Sequence, residues 1–406
     1  MLYITNHFTH PVKEAQGASP RYHLARKLSE RGQKLLVYCP IGRHVGNPLQ
    51  DFVANLFPKR SKVGNSVYLF PPVIVSPASA TTVLTLIMGT VFILVYLSLT
   101  RTKIAAQYST TILVGSVGAI LRKTKGIPFV TNYGDPDFAR ERGLSLKAFG
   151  FCENLVLARG SAYAVVYVDE VIGDYVKNRF GVKKAVFLPN GGYEKGFSPP
   201  RPEDPEVVSI RKKLRLEGKK VVVYAGQVSG GYRVDLLVPV ASRIVENMPD
   251  TVFLIIGDGS ALHSVMNQAK RVGLAESFRF VGQVQYAGIG AYLANSQVGL
   301  QLLNDMCMGT KVLMYMSNRV PVVSAGSWYG RYHEFLKNGE NAMLVPPTEE
   351  ALASAVSELL QSPAKQQHLR DEAWTAVGPY SWDVHAEVTL ALLRRAAEQP
   401  MEGETR

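Results

Sequence analysis

Cysteine is nearly absent from this chain of 406 residues: Cys39, Cys152 and Cys307 stand far apart, and no CxxC pair occurs. That excludes a disulfide framework and a zinc knuckle, and a reducing, cytoplasmic compartment is expected. No secretory signal is expected either, because Met1 leads straight into a short apolar strand and a polar loop. Charge is sparse, at 19% of residues against 47% hydrophobic, the balance of a globular chain rather than a disordered one. Negative charge is scarcest in the first half. Residues 1–190 hold 23 Lys+Arg against 10 Asp+Glu, whereas the remainder holds 22 against 23, so the formal charge of +12 arises wholly in the first half. Such a surface is either simply solvated or drawn to something anionic: nucleic acid, phospholipid or a phosphorylated substrate. Nothing resembles a helix-turn-helix, a zinc finger or an aromatic RNA platform, so no nucleic-acid partner is expected.

What is present is a repeated alternation of strand and helix over a length that suits two domains. In the first half, strands are expected at Leu2–Thr5, Lys34–Tyr38, Val67–Phe70, Thr111–Val114, Pro128–Thr131, Ala164–Val168 and Ala185–Leu188. Helices are expected at Arg21–Arg31 and from about Val117 to Lys123. Pro189-Asn190-Gly191-Gly192 and the proline-rich run after Ser198 then punctuate the chain. A second series follows at Lys220–Tyr224, Val252–Ile256, Phe278–Val281, Val298–Leu302, Val320–Val323 and Ala342–Val345. A closing amphipathic helix is expected over about 384–397. The expected fold class is α/β: two Rossmann-like, doubly wound domains, 1–190 and 191–383, facing each other across a cleft.

One stretch departs from the pattern. Val83–Leu99 carries no charge and is almost wholly apolar over 17 residues, the short limit for a spanning helix. Spanning would place strands of one sheet on opposite sides of a bilayer. Two readings remain: burial against its own domain, or a helix in the membrane interface flanked by Arg101 and Lys103.

Several strand ends carry polar or glycine-rich residues suited to chemistry. Lys220–Tyr224 runs into a glycine-bearing loop with Gly226, Gln227 and Arg233, and Val234–Val240 reads as the next helix. Glycines there let a backbone approach a phosphate, and a helix N-terminus offers free N–H groups. The spacing is not GxGxxG, and no acidic residue stands at the distance a ribose would need, which weighs against a dehydrogenase. Asp258 lies in a Gly-Asp-Gly turn after the next strand. Gly309 and Thr310 open a helix and set Lys311 beside its first N–H groups, a geometry suited to a diphosphate. In the first half, Asp135 and Asp137 follow the strand at Pro128–Thr131 and are candidates for binding or proton transfer. No metal site and no cofactor is expected. Each feature alone also fits an ordinary turn or capped helix.

Their order along the chain is similar to that of the family-4 glycosyltransferases. The resemblance rests on VVVYAGQVSGGYRVDLL, VFLIIGDGS, FRFVGQV, VGLQLL, GTKVLMYMSNRVPVVS and NGENAMLVPP in the second half, with FLPNGGYEKGFSP at the junction and YSWDVH before the last helix. It implies the GT-B fold, retention of anomeric configuration, a nucleotide diphosphate sugar donor bound by the second domain, and an acceptor bound by the first. It also implies that the last helix crosses back to the first domain. By position, Gly17 lies in a loop that closes over donor and acceptor, and Gly226 and Lys311 bind the diphosphate. Gly282 and Val284 pack the base, and Asp135 lies beside the reacting sugar, without metal. Two departures stand out: Met314 replaces a glutamate that commonly binds ribose, with Met306 at the partner position, and Gln227 stands where many members have arginine or lysine. A lipid-linked or polysaccharide acceptor at a peripheral membrane surface, on the inner face of the cell membrane, suits the basic first half. A nucleotide-sugar epimerase and a non-catalytic partner subunit are the alternatives.

Overall fold

The computed structural model describes residues 1–5, 20–40, 53, 56–72, 82–134, 143–158, 161–194, 196–302, 310–326 and 335–398. The chain forms two compact units, Met1–Pro189 with Trp382–Arg406, and Asn190–Ser381.

The first unit holds a sheet of eight strands: β1 (Leu2–Ile4), β2 (Leu35–Tyr38), β3 (Lys59–Val63), β4 (Ser66–Phe70), β5 (Gln107–Ser109), β6 (Phe129–Tyr133), β7 (Ala164–Tyr167) and β8 (Ala185–Phe187), in the order β3-β4-β2-β1-β5-β6-β7-β8. All pairs are parallel except β3 with β4. β1, β2 and β7 are short apolar runs, as burial on both faces demands, whereas β5 and β6 bury Gln107, Ser109, Thr131 and Asn132. Sequence reading missed β3, because KRSKV has no apolar alternation; it is an edge strand whose exposed Lys59, Arg60 and Lys62 discourage further pairing.

A second correction concerns Thr111–Val114. The strand is Gln107–Ser109, buried between β1 and β6, and Thr111 caps a helix over Ile112–Lys125. The β-branched run looked like a strand, but Val114, Val117 and Leu121 pack as a helix face against Leu2 and Ile4. The last helix, Trp382–Glu398, belongs to this unit: Trp382, Ala386, Leu390 and Leu393 share a core with Tyr3, Leu24 and Leu28. Asp383 anchors it through Lys27 at 3.4 Å and Arg31 at 3.2 Å. Its His385 faces the Pro189 carbonyl at 3.0 Å, and burial pulls the imidazole down to about 4, so it stays neutral at ordinary pH.

The apolar stretch forms a helix, Thr82–Thr100. Leu86, Ile93 and Leu97 pack into the core formed by Tyr38, Leu69 and Val117. Leu84, Ile87, Val91, Val95 and Leu99 are exposed, at 50 to 80% of their surface. Their spacing of three or four residues puts them on one outward stripe. Among the described residues no helix is long and apolar enough to cross a membrane.

The second unit holds six parallel strands: β9 (Lys220–Ala225), β10 (Thr251–Ile256), β11 (Phe278–Gly282), β12 (Val298–Leu302), β13 (Val322–Ala325) and β14 (Met343–Val345), in the order β11-β10-β9-β12-β13-β14. The chain winds outward from β9 in one direction, then returns to β12 and winds outward in the other. The direction of winding therefore reverses between β9 and β12, the place where such sheets bind ligands at the carboxyl ends of their strands.

Ile93 and Val91 lie two residues apart on opposite faces of the Thr82–Thr100 helix. Ile93→Ala should cost about 2–5 kcal/mol through the cavity it leaves. Val91→Ala should cost no more than about 0.5 kcal/mol. Urea denaturation of both variants measures the contrast, and equal losses would mean that both faces are core.

Candidate functional site

At the reversal point, β9 ends with the Ala225 N–H donating to the Tyr315 hydroxyl at 2.7 Å. Gly226 follows at φ +150°, and its N–H donates to the Ile256 carbonyl at 2.8 Å. Gly257, one strand over at φ +131°, donates to the Gly282 carbonyl at 2.8 Å. A Cβ on Gly257 would lie 2.0 Å from the Gly226 oxygen, so only glycine permits this approach. The carboxyl ends of β9, β10 and β11 are thus laced together through glycine backbone.

Across the reversal point, the helix Thr310–Ser317 leads away from the end of β12. Its second residue, Lys311, crosses to Gly226: a Cβ there would meet Nζ at 3.1 Å and Cε at 3.2 Å. The ammonium donates to the Tyr224 hydroxyl at 3.2 Å and lies 4.3 Å from the Tyr224 ring centre and 4.8 Å from that of Tyr232. Lys311 is 8% exposed and pairs with no carboxylate among the described residues. Desolvation lowers its pKa from 10.5 to about 7. Two aromatic faces offset part of that cost, but an anion at this point would offset far more. Burial also holds the Tyr224 hydroxyl well above its usual range, so it stays protonated and donates a hydrogen bond to the Gln227 carbonyl at 2.7 Å. Sequence reading missed Tyr224, Tyr232 and Tyr315. The signal was present in a tyrosine two residues before Gly226 and another four after Lys311, but only the sheet order shows that they converge.

The other expected residues fall as follows. Thr310 is exposed at the helix start; Met314 is buried one turn beyond Lys311, on the same side of the helix. Gln227 and Asp258 are exposed, and the Asp258 carboxylate accepts from the Gly259 N–H at 2.7 Å. Gly282 ends β11 at φ +76°, and Val284 lies half-buried just beyond it. Arg233 turns away to pair with exposed Asp235 at 3.2 Å. It sits at φ +47°, between 3₁₀ turns at Gly230–Tyr232 and Val234–Leu236. That corrects the expected helix over Val234–Val240: the α-helix is Leu237–Asn247, and its start is displaced from the glycine loop by the left-handed Arg233. The helix N-terminus nearest the loop's Lys311 is therefore that of Thr310–Ser317. Gly17, Asp135, Asp137, Met306 and Gly309 lie outside the described residues. No group of three or more His, Cys, Asp or Glu side chains capable of holding a metal occurs among the described residues.

In the first unit, the end of β6 is held by a buried carboxylate. Glu153, on the helix Gly143–Leu157, accepts hydrogen bonds from the hydroxyls of Tyr133, the last residue of β6, and Tyr175. Burial raises its pKa. Ser109 and Thr131 are hydrogen-bonded at 2.8 Å, and Thr110 and Thr5 at 3.2 Å, where β1, β5 and β6 end.

Residues 208–375 match the family model described as glycosyl transferases group 1. Over 161 residues the chain is 25% identical to a 2-deoxystreptamine N-acetyl-D-glucosaminyltransferase of Niallia circulans, covering 39% of this chain and 41% of that protein. Over 252 residues it is 25% identical to a GDP-mannose-dependent alpha-(1-6)-phosphatidylinositol monomannoside mannosyltransferase of Mycolicibacterium smegmatis, covering 59% and 64%. The chain therefore spans less than two thirds of the length of these curated relatives. Among solved structures it is similar to a sucrose-phosphate synthase of Thermosynechococcus elongatus, with a TM-score of 0.77, 17% identity and coverage of 97% and 99%. It is also similar to the Anabaena protein HepE in complex with UDP, with a TM-score of 0.71, 15% identity and coverage of 97% and 99%. These likenesses show the fold, a GT-B pair of parallel-sheet units.

The buried ammonium sets a pH dependence. Between about 7, the folded value, and 10.5, the unfolded one, the unfolded chain holds a proton that the folded chain has released. Stability therefore rises with pH across that window, and the penalty is largest below pH 7. Lys311→Met should exceed the wild type in stability near pH 6, and the gap should narrow towards pH 9. Urea denaturation of both proteins across that range reads the difference; a constant gap would mean the ammonium is solvated.

Proposed function

We propose that this chain, whose residues 208–375 match the group 1 glycosyl transferase model, transfers a sugar from a nucleotide diphosphate donor, with retention of configuration as its resemblance to family 4 implies. One observation carries the reading: Lys311 holds an uncompensated cation against the Gly226 backbone at the point where the second sheet reverses. In the transfer, the bond between the anomeric carbon and the diphosphate oxygen breaks as the acceptor hydroxyl oxygen bonds that carbon, and the hydroxyl proton passes to the departing diphosphate. Negative charge grows on the departing diphosphate. Lys311 and the backbone N–H groups opening its helix would meet that charge where it develops, with no metal called for. Gly226 leaves room for the phosphates, while Gly282 and Val284 flank the base. Met314 leaves the ribose without the carboxylate contact found in relatives, which predicts weaker nucleotide binding. Asp135, with Asp137 behind it, is assigned to the reacting sugar and acceptor hydroxyl, with Glu153 and Tyr133 bracing the strand end from which that segment departs.

The proposed acceptor is membrane-associated, either lipid-linked or a glycan. Its support is the outward stripe of Leu84, Ile87, Val91, Val95 and Leu99, together with the charge around it. Residues 52–134 contain no Asp or Glu, while Lys59, Arg60, Lys62, Arg101, Lys103, Arg122, Lys123 and Lys125 all fall within them. An apolar face of about 22 Å in a wholly basic setting fits an anionic bilayer, which supplies both apolar burial and headgroup attraction. A relative named for a phosphatidylinositol mannoside acceptor is consistent with this. A partner subunit without activity is the second reading, favoured by the apolar Met314; turnover by the chain alone rejects it.

Lys311→Ala should weaken nucleotide diphosphate binding about tenfold or more. Calorimetry measures this, and unchanged affinity would remove Lys311 from the site. Asp135→Asn should lower turnover far more than donor affinity; wild-type turnover would move the role to Asp137. The protein should co-sediment with anionic vesicles in preference to neutral ones, and high salt should weaken but not abolish the binding. Val91→Ser with Val95→Ser should keep the fold and lose the salt-resistant part. A wild type indifferent to anionic vesicles would refute the membrane docking.

A further inference from the structure

The second unit carries a cavity of about 750 Å³ that the donor site does not use. Lys219, just before β9, Gln297, just before β12, and Val320, just before β13, all line it. It therefore opens at the amino ends of the strands, whereas Gly226 and Lys311 stand at the carboxyl ends. Five of its lining residues are cationic, Arg201, Arg211, Lys219, Arg319 and Arg370, and none is acidic. Among the described residues only Arg319 forms an ion pair, with Asp371 at 3.2 Å, and the same carboxylate also acts on Arg370. The other four put like charges into one concavity, at a mutual electrostatic cost that an anion would relieve.

Two of these arginines are held by buried amides. Arg211 donates from Nε to the Asn295 side chain at 2.9 Å and from Nη2 to the Pro202 carbonyl at 2.8 Å. Asn295, 7% exposed, is itself fixed by bonds to the Val207 and Ala291 carbonyls at 3.1 and 3.0 Å. Arg370 donates to the Gln366 side chain at 3.0 Å, and Gln366, also 7% exposed, donates to the Leu359 carbonyl at 2.7 Å. Burial also lowers the basicity of Arg370, so its charge is already partly desolvated. A solvated surface arginine has no need of a buried amide behind it. Each guanidinium here is oriented in advance and keeps N–H groups uncommitted, so less entropy is lost when they close on a ligand.

We propose that this cavity is a second, separate binding site for a small molecule bearing a phosphate monoester or diphosphate. Planar guanidinium forks match phosphate oxygens two at a time, and Lys219 adds a mobile point charge at the rim. Five lining cations, with only Asp371 acting on two of them, suit a ligand with two or more negative charges rather than a single carboxylate. The remaining lining includes Leu216, Leu293 and the Pro199–Pro200 pair, with no aromatic ring, so a sugar phosphate or diphosphate fits better than a stacked base. The cavity also adjoins the donor helix. Asn318 and Arg319 line it, and Asn318 returns bonds from N and Nδ2 to the Met314 carbonyl at 3.2 and 2.8 Å, closing the end of Thr310–Ser317 opposite Lys311.

Inorganic pyrophosphate, titrated calorimetrically into the full chain, is the probe. Lys311→Met should leave one binding event intact. Arg201→Gln with Lys219→Gln should weaken that event about tenfold, and Arg211→Gln with Arg370→Gln at least as much. Arg201 and Lys219 make no side-chain hydrogen bond or ion pair among the described residues, so the first pair keeps the fold even if the second does not. Repeating the comparison with phosphatidate vesicles tells a lipid phosphate from a soluble one: if the first pair weakens vesicle binding, the ligand is a headgroup, and if it leaves vesicle binding alone, the ligand is soluble. Loss of all pyrophosphate binding in Lys311→Met, or wild-type binding in the Arg201/Lys219 variant, overturns the second site. Either result leaves the donor-site reading to be decided by its own variants.

Discussion

An ammonium group removed from water without a carboxylate beside it is unfavourable, and the second unit is arranged around one. Lys311 reaches its position because β9 and β12 are neighbours although the chain visits β10 and β11 between them. The crossover brings the end of one strand and the helix after another to the same point. Gly226 leaves room for the ammonium, the Tyr224 hydroxyl accepts a hydrogen bond from it, and the Tyr224 and Tyr232 rings flank it. None of these groups neutralises the charge, and burial leaves the lysine about half protonated near pH 7. A folded protein keeps such a residue at a cost in stability, and a diphosphate is the partner proposed to recover it.

The first unit presents the complementary constraint, an excess of apolar surface. The Thr82–Thr100 helix is apolar on every side, yet its own sheet covers only one. In a setting with no carboxylate for more than eighty residues, the uncovered side has both attributes of a lipid-facing surface. Donor chemistry in one unit and membrane contact in the other would bring a soluble sugar nucleotide to an acceptor held at a bilayer.

Much of this was legible in the sequence, for identifiable reasons. β9, β10 and β12 are unbroken apolar runs, and buried parallel strands have few other ways to look. Gly226 and Lys311 could each be picked out as candidates, because a glycine after a strand and a lysine opening a helix are local features. Their meeting was not legible, since it depends on strand order. The edge strand β3 was invisible because its side chains face water on both sides. The β-branched run after Thr110 misled, since its residues pack as a helix against β1. The helix beyond the glycine loop begins later than its apolar pattern suggests, because Arg233 adopts a left-handed backbone that periodicity does not encode. Periodicity was equally silent about the Thr82–Thr100 helix: with apolar residues all round, only the fold decides which side is core.

The central claim, that Lys311 is the counter-charge awaiting a diphosphate, has a direct test in proton uptake. A nucleotide diphosphate sugar is a diphosphate esterified at both ends, with one strongly acidic oxygen on each phosphorus and no proton to release near neutrality. Its binding should raise the Lys311 pKa from about 7 back towards 10.5, drawing a proton from the buffer. Calorimetry at about pH 8 in buffers of different ionisation enthalpy counts that proton. The account predicts an uptake approaching one per donor bound at that pH, little uptake near pH 6, and none in Lys311→Met at either pH. Donor binding by the wild type with no uptake at about pH 8 would contradict it.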